Sequence, residues 1–150
     1  MRLSARLKYA VVAMLELALQ YPKQFVSVAH LAEKHAISRP FLEKLLLQLK
    51  QSGLTMSRRG PDGGYRLSVP PEKIRIGDIF EVVEGPVSFS KSFVAFSQCD
   101  ATNLCMAGLL QELEAGISDI LNEKTLHELC SQARRFRRMS QPAHTISFSI

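Results

Sequence analysis

The hydrophobic period of the chain changes at Gly53, and few folds accommodate that change. Before it, Leu42, Leu45, Leu46 and Leu49 recur at the three- and four-residue spacing of one helix face. After it, Leu54, Met56 and Arg58 alternate with Thr55, Ser57 and Arg59, and Tyr65, Leu67 and Val69 alternate with Arg66 and Ser68. The two alternating runs flank Gly60-Pro61-Asp62-Gly63-Gly64, the pattern of a β-hairpin with a glycine-rich tip. Ser38 is placed to cap the helix, Pro40 is tolerated in its first turn, and Gly53 suits a left-handed stop.

Upstream, Ser27 can cap a short helix to about Ala36 that turns Val28, Leu31 and Ala32 inward, with Ile37 and Ser38 breaking it. A first helix carries Leu7, Ala10, Val11, Met14, Leu15 and Ala18 on one face, while Val12, Ala13, Leu17 and Leu19 fill most of the rest, until Pro22 ends it. A helix apolar nearly all round belongs at the centre of a core. Two helices joined by a short turn, the second strongly amphipathic and followed by a hairpin, predict a winged helix-turn-helix.

Downstream, Pro70-Pro71 closes the hairpin, and Ile76, Ile79, Phe80 and Val83 mark a helix ending at Gly85-Pro86. Residues 87–103 have no clean period and read as a loop. Asn103 is positioned to cap a long helix on which Met106, Leu110, Leu113, Ile117 and Ile120 alternate spacings of four and three, a stripe that calls for a partner helix. Thr125 and Glu128 form a capping box for a last helix that runs into Arg134, Arg135, Arg137 and Arg138, a solvated face. The expected organisation is a winged helix-turn-helix over 1–85, a sensor loop over 86–103, a helical dimerisation region over 104–139 and a frayed tail over 140–150. The fold class is mainly α with a small β-hairpin wing.

Charge separates along this organisation. Residues 1–69 hold 11 Lys and Arg against 4 Asp and Glu, whereas residues 70–150 hold 8 against 10. The basic half is the candidate binder of a polyanion. On the helix ending at Gly53, the outward first turns present Pro40, Glu43 and Lys44 flanked by Ser38, Arg39 and Phe41, the positions from which a recognition helix reads a major groove. Arg39 and Lys44 suit phosphate or guanine, and Glu43 can accept from a cytosine amino group. Arg58 and Arg59 lead into Gly60, Pro61, Gly63 and Gly64, where missing side chains let backbone approach another surface and an arginine gains from a narrow minor groove. Arg2 joins this set at the start of the chain. A surface salt bridge from Glu43 and glycines serving only a tight turn would account for some of these residues, but not for the paired arginines.

Other classes lack their marks. Three cysteines make neither an even set nor a dense one, so no disulfide framework is expected and a reducing compartment fits. The longest apolar run, Tyr9 to Leu19, is interrupted by Glu16 and falls short of the roughly 18 residues of a membrane span. It is followed by no small-residue cleavage site, and a cytoplasmic protein is expected. His30, His35, His127 and His144 have no metal-ligand spacing, and no phosphate loop, nucleophile elbow or dinucleotide fingerprint occurs, so the chain is not expected to be an enzyme.

Met-Arg-Leu-Ser at the start, Tyr9-Ala10-Val11 with Ala13-Met14-Leu15, Ile37-Ser38 with Leu42-Glu43, and Arg59-Gly60-Pro61-Asp62-Gly63-Gly64-Tyr65 resemble the Rrf family. These are bacterial winged-helix regulators that include regulators of iron–sulfur-cluster assembly and cysteine metabolism and a nitric-oxide-sensing repressor. The resemblance runs from Met1 to about Leu129. It implies a homodimer built on the long helix and a near-palindromic double-stranded DNA operator, with Glu43 matching the base-reading carboxylate and Arg59 the minor-groove arginine. Arg39, Pro40 and Phe41 depart from the small or polar residues usual there, which leaves the operator sequence open.

Cluster-binding members carry three cysteines ahead of the long helix. Here Cys99 and Cys105 keep the five-residue gap of the last two, the upstream cysteine is absent, and Gly108 stands where a histidine could follow. Two thiolates are short of the usual four ligands of a cluster. Three readings stay open: a [2Fe–2S] cluster completed by non-cysteine ligands, a thiol switch, or no function for either cysteine. No metal set is assigned. Cys130 reads as a small core residue. The function expected is a sequence-specific transcription regulator, most simply a repressor. The alternative is a winged-helix interaction module regulated by a metabolic enzyme or small ligand without a cluster. A thiol-disulfide enzyme lacks the Cys-x-x-Cys spacing.

Overall fold

Ser4 opens the first helix, its hydroxyl accepting from the Leu7 N–H at 3.0 Å. The computed structural model describes residues 4–89 and 100–140, so Arg2, Cys99 and the tail beyond Ser140 lie outside the described residues. Helix α1 (Ala5–Gln20) buries Leu7, Ala10, Ala13, Met14, Leu17 and Ala18 and forms the axis of the core, as its all-round apolar surface predicts. Helix α2 (Val28–His35) is capped by Ser27, whose hydroxyl accepts from His30 N–H at 3.1 Å, and it stops where Ala36 turns left-handed at φ 51°. Helix α3 (Arg39–Gln51) begins at Ser38, which has the extended backbone of a cap without a side-chain capping bond. Leu42, Leu45, Leu46 and Leu49 are its buried stripe.

Strands β1 (Thr55–Arg58) and β2 (Gly64–Leu67) pair antiparallel, Thr55 opposite Leu67 and Arg58 opposite Gly64. Val26, before α2, forms a third, one-residue rung with Tyr65 through two backbone bonds of 2.8 and 2.9 Å. A 3₁₀ turn (Pro71–Lys73) leads to α4 (Ile76–Glu84), where the Asp78 carboxylate accepts from Arg75 N–H at 2.8 Å and Gly85 ends the helix at φ 83°.

Helix α5 (Ala101–Glu123) starts two residues before the expected cap at Asn103. Asp100 takes the cap position with extended backbone, and its carbonyl accepts the first helical bond from Leu104 N–H at 3.1 Å. Helix α6 (Leu126–Ser140) follows after Thr125, whose hydroxyl accepts from Glu128 N–H at 3.3 Å, the bond expected of that cap. The two helices expected over 104–139 meet at this joint. Backbone bonds from Ile76 to Lys124 at 2.9 Å and from Leu126 to Ile74 at 2.8 Å clamp the α5–α6 turn to the strand-to-α4 linker. Leu126 and Cys130 then enter the same core as α1, whereas α5 buries no residue.

Glu16, which interrupts the apolar run of α1, is buried against two cations and an imidazole. Its carboxylate meets Lys34 at 2.8 Å, His35 at 3.1 Å and Arg137 at 3.4 Å, so it ties α1 to α2 and to α6. Arg137 is therefore not on a purely solvated face. Burial pushes the carboxyl's pKa up, but hydrogen bonding and attraction from Lys34, the His35 bond and the Arg137 charge together hold it below its ordinary 4.5. A depressed folded value means that the ion pairs contribute above the unfolded value and are lost as pH falls through the folded one. Stability is expected to drop on acidification below about pH 4.5, and Glu16→Gln to cost about 1–3 kcal/mol at pH 7 while flattening that drop. Urea unfolding at pH 7 and in steps below pH 4.5 checks both; parallel acid profiles for wild type and variant would remove Glu16 from the account.

Candidate nucleic-acid interface

Because the leucine stripe of α3 is buried, the opposite side of the helix is fixed toward solvent. Ser38, Arg39, Pro40, Glu43 and Lys44 are all exposed there, as their spacing predicts. Leu47, 46% exposed, and Gln48 extend this face by a turn. Phe41 is different: its ring packs edge-on against Tyr9, centroids 5.9 Å apart at 81°, so it is half-buried and braces α3 on α1. Phe41, two residues and about 200° around the helix from Glu43, thus packs on α1 at the edge of the exposed face. Arg6 reaches the same region, its guanidinium donating to Gln48 Oε1 at 3.1 Å, a contact between α1 and α3 with no signature in local spacing.

Arg39 Nε donates to Glu43 Oε1 at 3.0 Å across one helical turn. The surface salt bridge is therefore present. Both side chains are at least half exposed, and exposed pairs of this spacing are worth only about 0.3–0.5 kcal/mol, so the carboxylate can be exchanged to a base edge at little cost. The negative charge of Glu43 also reaches the wing: burial first, and then Glu43, raise the Tyr65 phenol above its ordinary 10.0.

At the wing, the two arginines divide. Arg58 is held, its guanidinium donating to the Asp62 carbonyl at 2.8 Å and lying 4.4 Å from the Phe25 ring centroid, with Arg66 also over that ring at 4.8 Å. Arg59 is exposed and has no hydrogen bond or ion pair among the described residues. Gly60 turns at φ 107°, and its carbonyl accepts from Gly63 N–H at 2.9 Å. A Cβ on Gly63 would stand 2.8 Å from the Gly60 carbonyl, and one on Gly64 would stand inside 3.0 Å of Val26 backbone. The glycines are thus needed for close approach within the wing itself. Phe25, which carries the arginines, sits alone between Gln24 and Val26, without periodicity to mark it.

The order of elements, the exposed α3 face and the hairpin beside it make a winged helix-turn-helix. A family model described as Rrf2, an iron-dependent transcriptional regulator, matches residues 3–132. The chain belongs to the Rrf2 family. It is similar to the HTH-type transcriptional regulator IscR of Vibrio campbellii, 38% identical over 130 residues that span 86% of this chain and 77% of that protein. Among solved structures, T. potens IscR aligns with TM-score 0.75 at 30% identity, covering 95% of this chain and 94% of that one. CymR, the global cysteine regulator of B. subtilis, aligns with TM-score 0.74 at 29% identity, covering 88% and 98%. The Rrf2 chain is a DNA-binding transcription regulator and not an enzyme. Among the described residues no helix is long and apolar enough to cross a membrane.

Of the two cysteines named from sequence, only Cys105 lies among the described residues. It stands exposed in the second turn of α5, within the helix. Nowhere among those residues do three His, Cys, Asp or Glu side chains come together as a metal site. Cys105 would be one ligand of an iron–sulfur cluster, and Cys99, the other cysteine named from sequence, lies outside the described residues. Cys130 is 3% exposed beside the Leu15 carbonyl at 3.9 Å, and burial raises its thiol pKa, as suits a small core residue.

Proposed function

We propose that this Rrf2 chain works as a homodimer on a near-palindromic double-stranded operator, in the cytoplasm with the chromosome, and represses by occupying it. Glu43, with Ser38, Arg39, Pro40 and Lys44, enters the major groove, while Arg59 and the backbone of Gly60, Pro61, Gly63 and Gly64 meet the adjacent minor groove, Arg58 holding the tip in shape. The observation that carries this reading is that Arg59, unlike Arg58, has no partner among the described residues. Arg59→Ala is expected to weaken operator binding by about 1–3 kcal/mol without changing the melting temperature. A gel-shift titration with unchanged affinity would remove Arg59 from the site.

Dimerisation is assigned to α5, a 23-residue helix with no buried residue and exposed Met106, Leu109, Leu113 and Ile120. A bare apolar face of that length calls for cover. Leu110 and Ile117, expected in the same seam, are half-buried, and Leu109 adds to the exposed apolar set.

The signal is assigned to Cys105 with Cys99. Protein purified without oxygen separates the readings: visible absorption means a cluster with ligands from beyond the described residues, and colourless protein whose operator affinity changes on oxidation means a thiol switch. Equal affinity in every state, for wild type and for Cys99→Ala and Cys105→Ala, means that neither cysteine signals. A small ligand or a protein partner then sets the regulator.

A further inference from the structure

Beneath the N-terminus of α1, where α4 and α5 meet, lies a cavity of about 400 Å³ that none of the DNA-reading residues uses. Leu7, Phe80, Val87, Phe89 and Leu121 supply apolar walls. The wall at Phe89 is pinned, because its backbone N–H donates to the Glu114 carboxylate on α5. This volume falls in the range of small-molecule sites, which combine an apolar body with a few polar groups at fixed places.

Among the described residues the one ionisable group in the lining is Glu84, the last residue of α4. The Ser4 hydroxyl donates to it while accepting from Leu7 N–H at 3.0 Å, so the carboxylate is held at the rim by the cap of α1. Among the described residues Glu84 has no cationic partner. An apolar pocket with an anionic rim complements a ligand of the opposite design, an apolar ring or branched chain ending in a protonated amine, because an ammonium donor to a carboxylate makes the stronger, charge-assisted hydrogen bond.

We propose that this cavity binds a small organic amine, its hydrocarbon body between Phe80, Val87 and Leu121 and its ammonium group on Glu84. The site stands apart from the DNA-reading face, and its test uses no DNA, so its failure leaves the operator reading untouched.

The experiment titrates 2-phenylethylamine, 3-phenylpropionate and ethylbenzene separately into the full chain and follows binding by ligand-observed NMR and by shift of the melting temperature. Saturable binding of the amine is expected, with the carboxylate at least about tenfold weaker and ethylbenzene between them. Glu84→Gln should weaken the amine by about tenfold and leave ethylbenzene unchanged. Val87→Trp, which fills the cavity from a non-helical segment, should abolish both, with helix content measured by circular dichroism to establish that the variant is folded. The proposal is overturned if amine and carboxylate bind wild type alike, if no probe binds, or if folded Val87→Trp binds the amine as wild type does. The comparison of the three probes on wild type decides the matter even where a variant fails to fold.

Discussion

A Leu113→Glu chain is expected to sediment as a monomer and to lose operator affinity by roughly 10²–10⁴-fold, the gain normally obtained when two half-sites are held by one molecule. Leu113 is 47% exposed on the outward face of α5, one turn from Leu109 and two turns from Ile120. Within a single chain, a glutamate there would face water and do no harm, since α5 buries no residue and glutamate is a good helix former. Between two chains the same carboxylate would be desolvated without a partner. The variant therefore separates folding from assembly: helix content should survive while the dimer is lost. An intact dimer by sedimentation, at the concentration used for operator titration, would contradict the assignment of α5 to the seam.

The second large effect is expected at Gly64. Its φ of 141° lies where side chains are rarely tolerated, and a Cβ would collide with the Val26 carbonyl and the Ser27 nitrogen, which are backbone and cannot swing aside. Gly64→Ala must therefore push β2 away from Val26 and break the paired 2.8 and 2.9 Å bonds between Val26 and Tyr65. A destabilisation of about 2–4 kcal/mol follows from strain plus the lost bridge, with operator binding weakened further because the wing loses its anchor. Gly60→Ala is the control. Its φ is 107°, but nothing lies within 4 Å of the added methyl, so only the backbone term of about 1–2 kcal/mol applies. Equal urea midpoints for the two variants would mean that the Val26 contact does not hold the wing.

Much of the candidate interface was legible because its signals are short-range. The leucine spacing of α3 decides which side of that helix is wet, and Glu43 and Lys44 follow from it without knowledge of the rest of the chain. The turn chemistry of residues 60–64 likewise predicts the hairpin. The packing of Phe41 lies beyond that range: on a wheel it adjoins the outward face, and Tyr9, 32 positions earlier, meets the ring. Arg58 and Arg59 look equivalent in sequence, and the ring of Phe25 separates them. Arg6, joined to Gln48 across 42 residues, had no local signal at all.

The sequence by itself determined where helices begin, which faces are apolar and where the chain reverses, since caps, periods and turns depend on neighbours within a turn or two. Only the tertiary structure decided how those faces were spent. It left Leu110 and Ile117 of the α5 stripe half-buried and Leu113 and Ile120 bare, with Leu109 exposed beside them. It drew Leu126 and Cys130 of α6 into the core and made Glu16, which reads as an interruption, the carboxylate that Lys34, His35 and Arg137 share. These outcomes require groups up to 121 positions apart to meet, and periodicity carries no information about distance of that kind.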